Sequence, residues 1–314
     1  MKVFYIGDFS VGYSTEVYVA HGLEQNGVEV ERFQESLVST AASLLEKIED
    51  FGPDFVLFAK PRYKDVTRSL IKALKQKGIL TVSWNFDLYF NLPPTISQRY
   101  VTDPHFTCDI VFMTDGGDHQ EILDAGINKV TLRQGIHEPD AVIGEPQAKR
   151  HDVIFVGSAS YVERNDMLEF LQDTYKDNFH HYGAGGGTRE TRGLALNNVL
   201  ASAKIVVGDS VVSPKYWSNR MYEMIGRGGF LLHPKVDTLD KEFPYYECMV
   251  PFDYGNYQQL KFIIDHYLEN EDKRRKIQAT GFKHCKENHT YTKRCEELLS
   301  IVKNGTQNKK SRRV

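Results

Sequence analysis

The chain has 314 residues, of which 41% are hydrophobic and 26% are charged, and its formal net charge is −3. This length is sufficient for two α/β domains of about 150 residues each. The slightly negative charge argues against a protein-wide basic field of the kind that drives non-specific nucleic-acid binding. Four scattered cysteines without a CxxC pair, no signal peptide and no apolar run long enough for a membrane span together predict a cytoplasmic protein.

The first half alternates short, continuous apolar segments with longer amphipathic ones. Segments rich in Val, Ile and Phe predict strands at 2–6, 28–33, 54–59, 79–83, 109–113 and 129–132. Amphipathic segments predict helices at 14–26, 38–50, 63–77 and 118–125. Strands that are apolar on both faces, each followed by a helix, are typical of a parallel, doubly wound α/β sheet.

A segment with two prolines and a glycine, 137–151, interrupts this alternation and is the best linker candidate. After it, strands are predicted at 152–156, 179–182, 204–207, 230–232 and 247–252, followed by a helical run over 256–302. The predicted organisation is a domain at 1–140, a domain at 141–302 and a basic, disordered tail at 303–314. Two Rossmann-like domains of this kind would face a central cleft, and ligands bind at the carboxyl edges of such sheets.

The second domain begins like a phosphate-binding unit. A buried strand runs directly into Gly157 and Ser158, and a helix that carries Arg164 in its first turn follows. Free backbone N–H groups at such a helix start are suited to a phosphate. A glycine cluster that includes Gly183 and Gly185 follows the next strand, and it fits either a flexible loop or a close approach of the backbone to a ligand.

The most informative segment is 213–233, which indicates a loop, a short helix, a glycine break and a buried strand. Arg220 and Glu223 are three residues apart and therefore share a face of the helix. A guanidinium suits phosphate oxygens and a carboxylate can accept two hydrogen bonds from a diol. From spacing alone, however, such a pair is most often a surface salt bridge.

This segment resembles the donor site of GT-B fold glycosyltransferases, especially the CgeB-like branch of the family-1-like glycosyltransferase C-terminal domain. The likeness rests on Ser218-Asn219-Arg220-Met-Tyr-Glu223 and on the small residues and apolar strand that follow. It implies a GT-B fold, nucleotide-sugar binding and contact between Glu223 and the ribose hydroxyls.

Lys215 departs from this family pattern. It stands eight positions before Glu223, where many retaining GT-B enzymes have a second glutamate. The departure argues against a retaining mechanism that uses that glutamate. Lys215 and Arg220 could instead neutralise the departing diphosphate.

An inverting transfer needs a general base, and the first domain offers Asp87 just beyond a predicted strand. Its surroundings are similar to those of the catalytic aspartate in phage DNA β-glucosyltransferase, although a turn or cap role is the alternative for such a residue. Asp8 and Asp115, which also follow predicted strands, are the second and third candidates.

The resemblance implies a glycosyltransferase that moves a sugar from a nucleotide sugar, by default a UDP-sugar, to an acceptor hydroxyl. No cofactor is required, and no divalent metal is expected because no Asp-x-Asp stands in a suitable loop. The acceptor could be a glycan, a protein, a small molecule or DNA. Two alternatives stay open: a phage-type enzyme acting on modified DNA bases, and a non-catalytic sugar-nucleotide-binding or spore- or capsule-associated protein.

Overall fold

The computed structural model describes residues 1–37, 40–59, 63–88, 103–117, 119–148, 150–159, 162–186, 191–211 and 213–311. Gly187, which belongs to the predicted glycine cluster, lies outside these residues. The chain divides into two compact units, one formed by Met1–Gln134 with Tyr291–Val314 and the other by Gly135–Thr290.

Unit 1 is built around a parallel six-stranded sheet with the order β2-β1-β3-β4-β5-β6. Its strands are β1 Lys2–Gly7, β2 Glu29–Gln34, β3 Phe55–Phe58, β4 Leu80–Asn85, β5 Ile110–Met113 and β6 Lys129–Thr131. Its helices are α1 Thr15–Gln25, α2 Ala41–Phe51, α3 Lys64–Lys77 and α4 Gln120–Asp124, with 3₁₀ turns at Glu35–Leu37 and Pro104–Thr107. Every residue of β3 and β4 is buried, as the continuous apolar runs predict.

Unit 2 contains a parallel five-stranded sheet with the order β11-β10-β9-β7-β8. Its strands are β7 His151–Val156, β8 Phe179–Tyr182, β9 Ala203–Val207, β10 Leu231–Pro234 and β11 Val250–Phe252. Its helices are α5 Val162–Tyr175, α6 Gly193–Ala201, α7 Arg220–Gly226, α8 Leu239–Glu242, α9 Tyr257–Glu269 and α10 Glu271–Asn288, with 3₁₀ turns at Glu138–Asp140 and Lys176–Asn178. Apolar clusters cover both faces of this sheet.

All eleven predicted strands are present, with bounds that differ by at most three residues. The two parallel-sheet units confirm the predicted α/β class. Among the described residues, no helix combines the length and the apolar character needed to cross a membrane.

The last helix, α11 Tyr291–Ser311, belongs to unit 1, whereas the sequence predicts the chain to remain in the second domain up to residue 302. The reason is an apolar face: Tyr291, Cys295 and Leu298 are buried in the same core as the side chains of α1 and β1. The helix also continues to Ser311, within the segment predicted to be a disordered tail. The units meet in sequence at Gln134 and Gly135 rather than at 140 and 141.

Contact between α1 and α11 depends on a small residue at position 22. A Cβ added at Gly22 would lie 2.7 Å from the carbonyl oxygen of Tyr291 and 2.9 Å from the sulfur of Cys295. Asn26 strengthens the same contact by donating from Nδ2 to the carbonyl oxygen of Thr292 at 2.9 Å. The first helix and the last are therefore in backbone contact.

We expect Gly22→Ala to destabilise the protein because the methyl group would push α11 away from α1. Overpacking of this kind costs about 1–3 kcal/mol in the free energy of unfolding, which urea titration would measure. Gly12→Ala is the matched control, since a Cβ there meets nothing within 4 Å. An equal effect of the two substitutions would contradict this account of the α1–α11 contact.

Candidate functional site

The candidate site in unit 2 lies at the carboxyl edge of its sheet, where the ends of β7 and β9 are adjacent. Gly157 directly follows β7, and Asp209 stands two residues after β9. The chain leaves β7 toward β8 on one side, and β9 pairs with β7 on the other. Such a switch point in strand order is where open α/β sheets bind ligands.

Asp209 holds two arginine side chains together at this edge. Its Oδ2 accepts a hydrogen bond from Nε of Arg164 at 2.5 Å, and its Oδ1 accepts one from Nη1 of Arg220 at 2.5 Å. Both guanidinium groups lie over the ring of Phe155, each with its central carbon 5.4 Å from the ring centroid. Burial lowers the pKa of Arg220, while the Asp209 carboxylate opposes that effect. The cluster is thus two cations bridged by one anion.

The position of the Arg220 guanidinium favours a residue without a side chain at position 157. A Cβ at residue 157 would lie 2.6 Å from Nη2 of Arg220, and the backbone there has φ +151°. The availability of N–H groups at the following helix start stays a prediction, but two N–H groups of the loop before it are used within the protein. The N–H groups of Gly157 and Ala159 donate to the carbonyl oxygens of Tyr182 and Ala184, each at 2.8 Å.

The predicted glycine cluster packs against this loop. A Cβ at Gly183 would lie 2.4 Å from the carbonyl oxygen of Gly157, and one at Gly185 would lie 2.7 Å from Cβ of Ala159. Both glycines have positive φ, 133° and 92°. These two glycines thus pack closely against the neighbouring loop of the protein, and the predicted approach of their backbone to a ligand stays a prediction.

Glu223 is part of a buried ion network. Its Oε2 accepts from Nε of Arg227 at 2.8 Å, and Nη2 of Arg227 donates to Oδ2 of Asp140 at 2.7 Å. Arg227 also donates to Asn197 Oδ1, and its side chain is only 1% exposed. Burial of the guanidinium lowers its pKa, but the two carboxylates outweigh that effect and raise it above its usual value. Glu223 is therefore not a surface salt-bridge partner of Arg220, because its partner is Arg227.

The residues just before α7 carry polar atoms without protein partners. Oγ of Ser218 and Oδ1 of Asn219 are both buried and make no hydrogen bond within the described part of the chain. Oε1 of Glu223 has a single weak contact, with Nδ2 of Asn219 at 3.5 Å. Lys215 precedes them in the left-handed region, with φ 55°. Buried oxygen atoms that lack a hydrogen-bond partner within the protein are suited to binding a polar ligand.

Three residues of this site were missed by the sequence analysis: Asp209, Arg227 and His233. Asp209 is a single acidic residue after a strand, a signal that many loops share. His233 lies in β10, and burial lowers the pKa of its ring to about 4, which keeps it neutral beside the arginines. Its Nδ1 contacts the carbonyl oxygen of Pro234 at 2.8 Å.

In unit 1 the three predicted aspartates all follow the carboxyl ends of parallel strands. Asp8, one residue after β1, accepts from Ser10 N at 3.0 Å, Ser10 Oγ at 2.6 Å and Gln34 Nε2 at 3.0 Å. Asp115, in the loop after β5, is buried and accepts from the N–H of Gly117 at 2.8 Å. Asp87 is exposed, two residues after β4. Asp8 and Asp115 thus shape their own loops, whereas Asp87 faces solvent.

The sequence analysis also missed Glu16 as an acid in this unit. Burial raises the pKa of Glu16, and the nearby carboxylates of Asp8 and Glu35 raise it further. A Cβ at Gly7 would lie 2.8 Å from Cγ of Glu16, so the side chain lies against the end of β1. Because its pKa is raised and a second acid lies nearby, the carboxyl group of Glu16 is a further candidate for proton transfer.

Part of the chain matches the profile of a known family. Residues 164–300 match the profile of the family described as glycosyl transferase-like, and they include Asp209, Arg220 and Glu223. No curated protein sequence matches the chain.

Several solved structures share the fold over almost the whole chain. The chain is similar to HepE of Anabaena, solved in complex with UDP and glucose, with a TM-score of 0.70, 11% identity and coverage of 96% of this chain and 99% of that one. It is similar to a UDP-forming α,α-trehalose-phosphate synthase of Burkholderia xenovorans, with a TM-score of 0.67, 10% identity and coverage of 96% and 98%. A sucrose-phosphate synthase of Thermosynechococcus elongatus gives a TM-score of 0.64, 10% identity and coverage of 98% and 100%.

These matches confirm the predicted GT-B fold and the resemblance to GT-B glycosyltransferases. The partial resemblance to phage DNA β-glucosyltransferase stays a prediction.

Arg227→Met would leave Glu223 and Asp140 without their shared cation. We expect the free energy of unfolding to fall by about 3–5 kcal/mol, as for other buried ion pairs that lose one partner. Denaturant unfolding measures this loss. Arg275→Met, which breaks an exposed pair with Glu271, is the matched control and should leave the unfolding midpoint unchanged. A small effect at Arg227 would mean that the network does not stabilise α7.

Proposed function

We propose that the chain transfers a sugar from a UDP-sugar to an acceptor hydroxyl, with inversion at the sugar. The observation that carries this proposal is the pair of arginines held by Asp209 at the carboxyl edge of the second sheet. Two guanidinium groups and one carboxylate leave one net positive charge beside a loop that has no side chain at Gly157. Positive charge fixed before the reaction stabilises a diphosphate leaving group as its charge grows.

The ribose would bind to the polar atoms at the start of α7. Oε1 of Glu223 and the buried oxygens of Ser218 and Asn219 can exchange hydrogen bonds with a diol. Arg227 already occupies the other oxygen of Glu223, so the carboxylate is oriented before the ligand arrives. Lys215 would add a further positive charge near the diphosphate.

UDP is the proposed nucleotide because structures with this fold hold it. HepE of Anabaena is solved with UDP and with UDP-glucose. No cofactor is proposed, and the leaving group is neutralised by arginine and lysine side chains rather than by a divalent metal. The proposed location is the cytoplasm, where nucleotide sugars are available.

Asp87 is the proposed general base. Its carboxylate takes the proton of the acceptor hydroxyl as the oxygen attacks the anomeric carbon. The bond to the diphosphate breaks at the same time, and UDP leaves with the bonding electrons. Exposure of Asp87 at the end of β4 supports this role, since a base must be within reach of a substrate. The alternative general base lies at the end of β1, where Asp8 stands and where the pKa of Glu16 is raised.

Isothermal titration with UDP and UDP-glucose tests the donor site. We expect saturable binding to the wild type and a roughly ten- to hundred-fold weaker affinity for Arg220→Ala, because charge-assisted hydrogen bonds to phosphate are lost. Arg275→Ala removes an exposed arginine on α10 and should bind as the wild type does. Equal affinity in the Arg220 variant would overturn the proposed diphosphate contact.

Asp87→Asn tests the base separately from the donor site. Loss of general base catalysis should lower the rate of sugar transfer or of donor hydrolysis by about 10²- to 10⁴-fold, with donor affinity unchanged. Asp8→Asn and Glu16→Gln are the matched comparisons at the end of β1. Full activity of Asp87→Asn together with a large loss of activity in Glu16→Gln would identify Glu16, at the end of β1, as the base.

A further inference from the structure

Two imidazole rings at the end of α10 direct their Nε2 atoms toward each other. Nε2 of His284 and Nε2 of His289 are 3.1 Å apart. Both also contact the carbonyl oxygen of Glu242 at the end of α8, at 2.9 Å and 3.1 Å. The three atoms form a nearly equilateral triangle.

One tautomer of His289 places two hydrogen-bond acceptors in contact within this triangle. Oε1 of Glu242 lies 3.3 Å from Nδ1 of His289, and a carboxylate there favours a proton on that nitrogen. A neutral His289 ring then has a lone pair at Nε2, which lies 3.1 Å from the carbonyl oxygen, itself an acceptor. Two acceptors at that distance need positive charge between them, which either a proton on His289 or a bound cation supplies.

The triangle has almost the size that a tetrahedral transition-metal ion requires. A zinc ion with ligands at about 2.0–2.1 Å separates its donor atoms by roughly 3.3–3.4 Å. The observed separations of 2.9, 3.1 and 3.1 Å would therefore open by a few tenths of an ångström on binding. Imidazole nitrogens select zinc, copper or nickel over magnesium and calcium.

We propose that Nε2 of His284, Nε2 of His289 and the carbonyl oxygen of Glu242 bind a zinc-like divalent cation, with water as the fourth ligand. The site uses only two side-chain donors. No group of three His, Cys, Asp or Glu side chains that could hold a metal is found in the described ranges, so this site is formed by a pair and a main-chain oxygen. It is separate from the proposed sugar transfer, which needs no metal.

The side chains that contact the triangle residues are of the kind that orients metal ligands in proteins. Metal-binding histidines commonly donate their second N–H to a carboxylate, and Glu242 is placed for this role at His289. Oε1 of Glu242 in turn accepts from the hydroxyl of Tyr222 at 2.9 Å, and that hydroxyl accepts from Nε1 of Trp217 at 2.9 Å. Tyr222 lies on α7 beside Glu223, so an ion here would fix α8 and α10 to the helix that carries the donor-site residues.

Isothermal titration of the chelator-treated full-length protein with zinc chloride tests the proposal. We expect one ion per chain, with no saturable heat from magnesium chloride. His284→Ala and His289→Ala should each abolish the zinc signal. Glu242→Gln keeps all three donor atoms but removes the carboxylate behind His289, so its zinc affinity should fall by about 10- to 100-fold.

His180→Ala is the matched control, because His180 stacks on His151 elsewhere in unit 2 with ring centroids 4.7 Å apart. It should bind zinc as the wild type does. Absence of zinc binding by the wild type, or unchanged binding by either triangle variant, would overturn the proposal. If the alanine variants fail to fold, the zinc affinity of Glu242→Gln tests the proposal alone. A zinc affinity equal to that of the wild type would then overturn it.

Discussion

The bridge that Asp209 makes between Arg164 and Arg220 determines the arrangement of the second unit's site. Two guanidinium groups over one phenyl ring repel each other, and the carboxylate between them makes the arrangement stable. Because Arg220 lies against residue 157, that residue has to be glycine. Because a Cβ at residue 183 would lie 2.4 Å from the carbonyl oxygen of Gly157, position 183 in the loop after β8 is limited to glycine as well.

This chain of contacts gives the glycines a structural role that differs from the usual one in phosphate-binding loops. The backbone N–H groups of Gly157 and Ala159 are used within the protein. In the proposed function, the positive charge beside the diphosphate comes from the side chains of Arg164 and Arg220. In this account Asp209 does not contact the ligand. It fixes the positions of the Arg164 and Arg220 guanidinium groups before a ligand binds.

A second buried network fixes α7, which has only seven residues. Arg227, at the end of this helix, is held by Glu223 and Asp140 and is almost completely buried. Breaking either pair would leave an uncompensated charge in the core, so the helix has little freedom to rotate. The result is that one oxygen of Glu223 is committed to the protein and the other is directed to the candidate ribose site.

Local pattern was enough to predict most of the fold. Strands such as β3 and β4 are buried on both faces, so their apolar runs are continuous and easy to recognise. The position of α11 could not be predicted, because its helical pattern is the same whichever unit it packs against. Contacts between residues far apart in sequence, such as that of Gly22 with Tyr291 more than 260 residues later, assign it to the first unit.

The site was predictable where a motif spans several residues and not where a single residue acts. Arg220 and Glu223 stand in a pattern shared with a family, and the structure places both at the start of one buried helix. Asp209 and Arg227 have no such pattern, since a lone charge after a strand or a helix is usually exposed. Their importance comes from burial and from partners that are distant in sequence.

A crystal structure of the protein with UDP tests the central claim most directly. The account predicts diphosphate oxygens within hydrogen-bonding distance of the Arg164 and Arg220 guanidinium groups, with the Asp209 bridge intact and the ribose hydroxyls at Glu223. Diphosphate bound away from both arginines, or a ribose that does not contact Glu223, would contradict it.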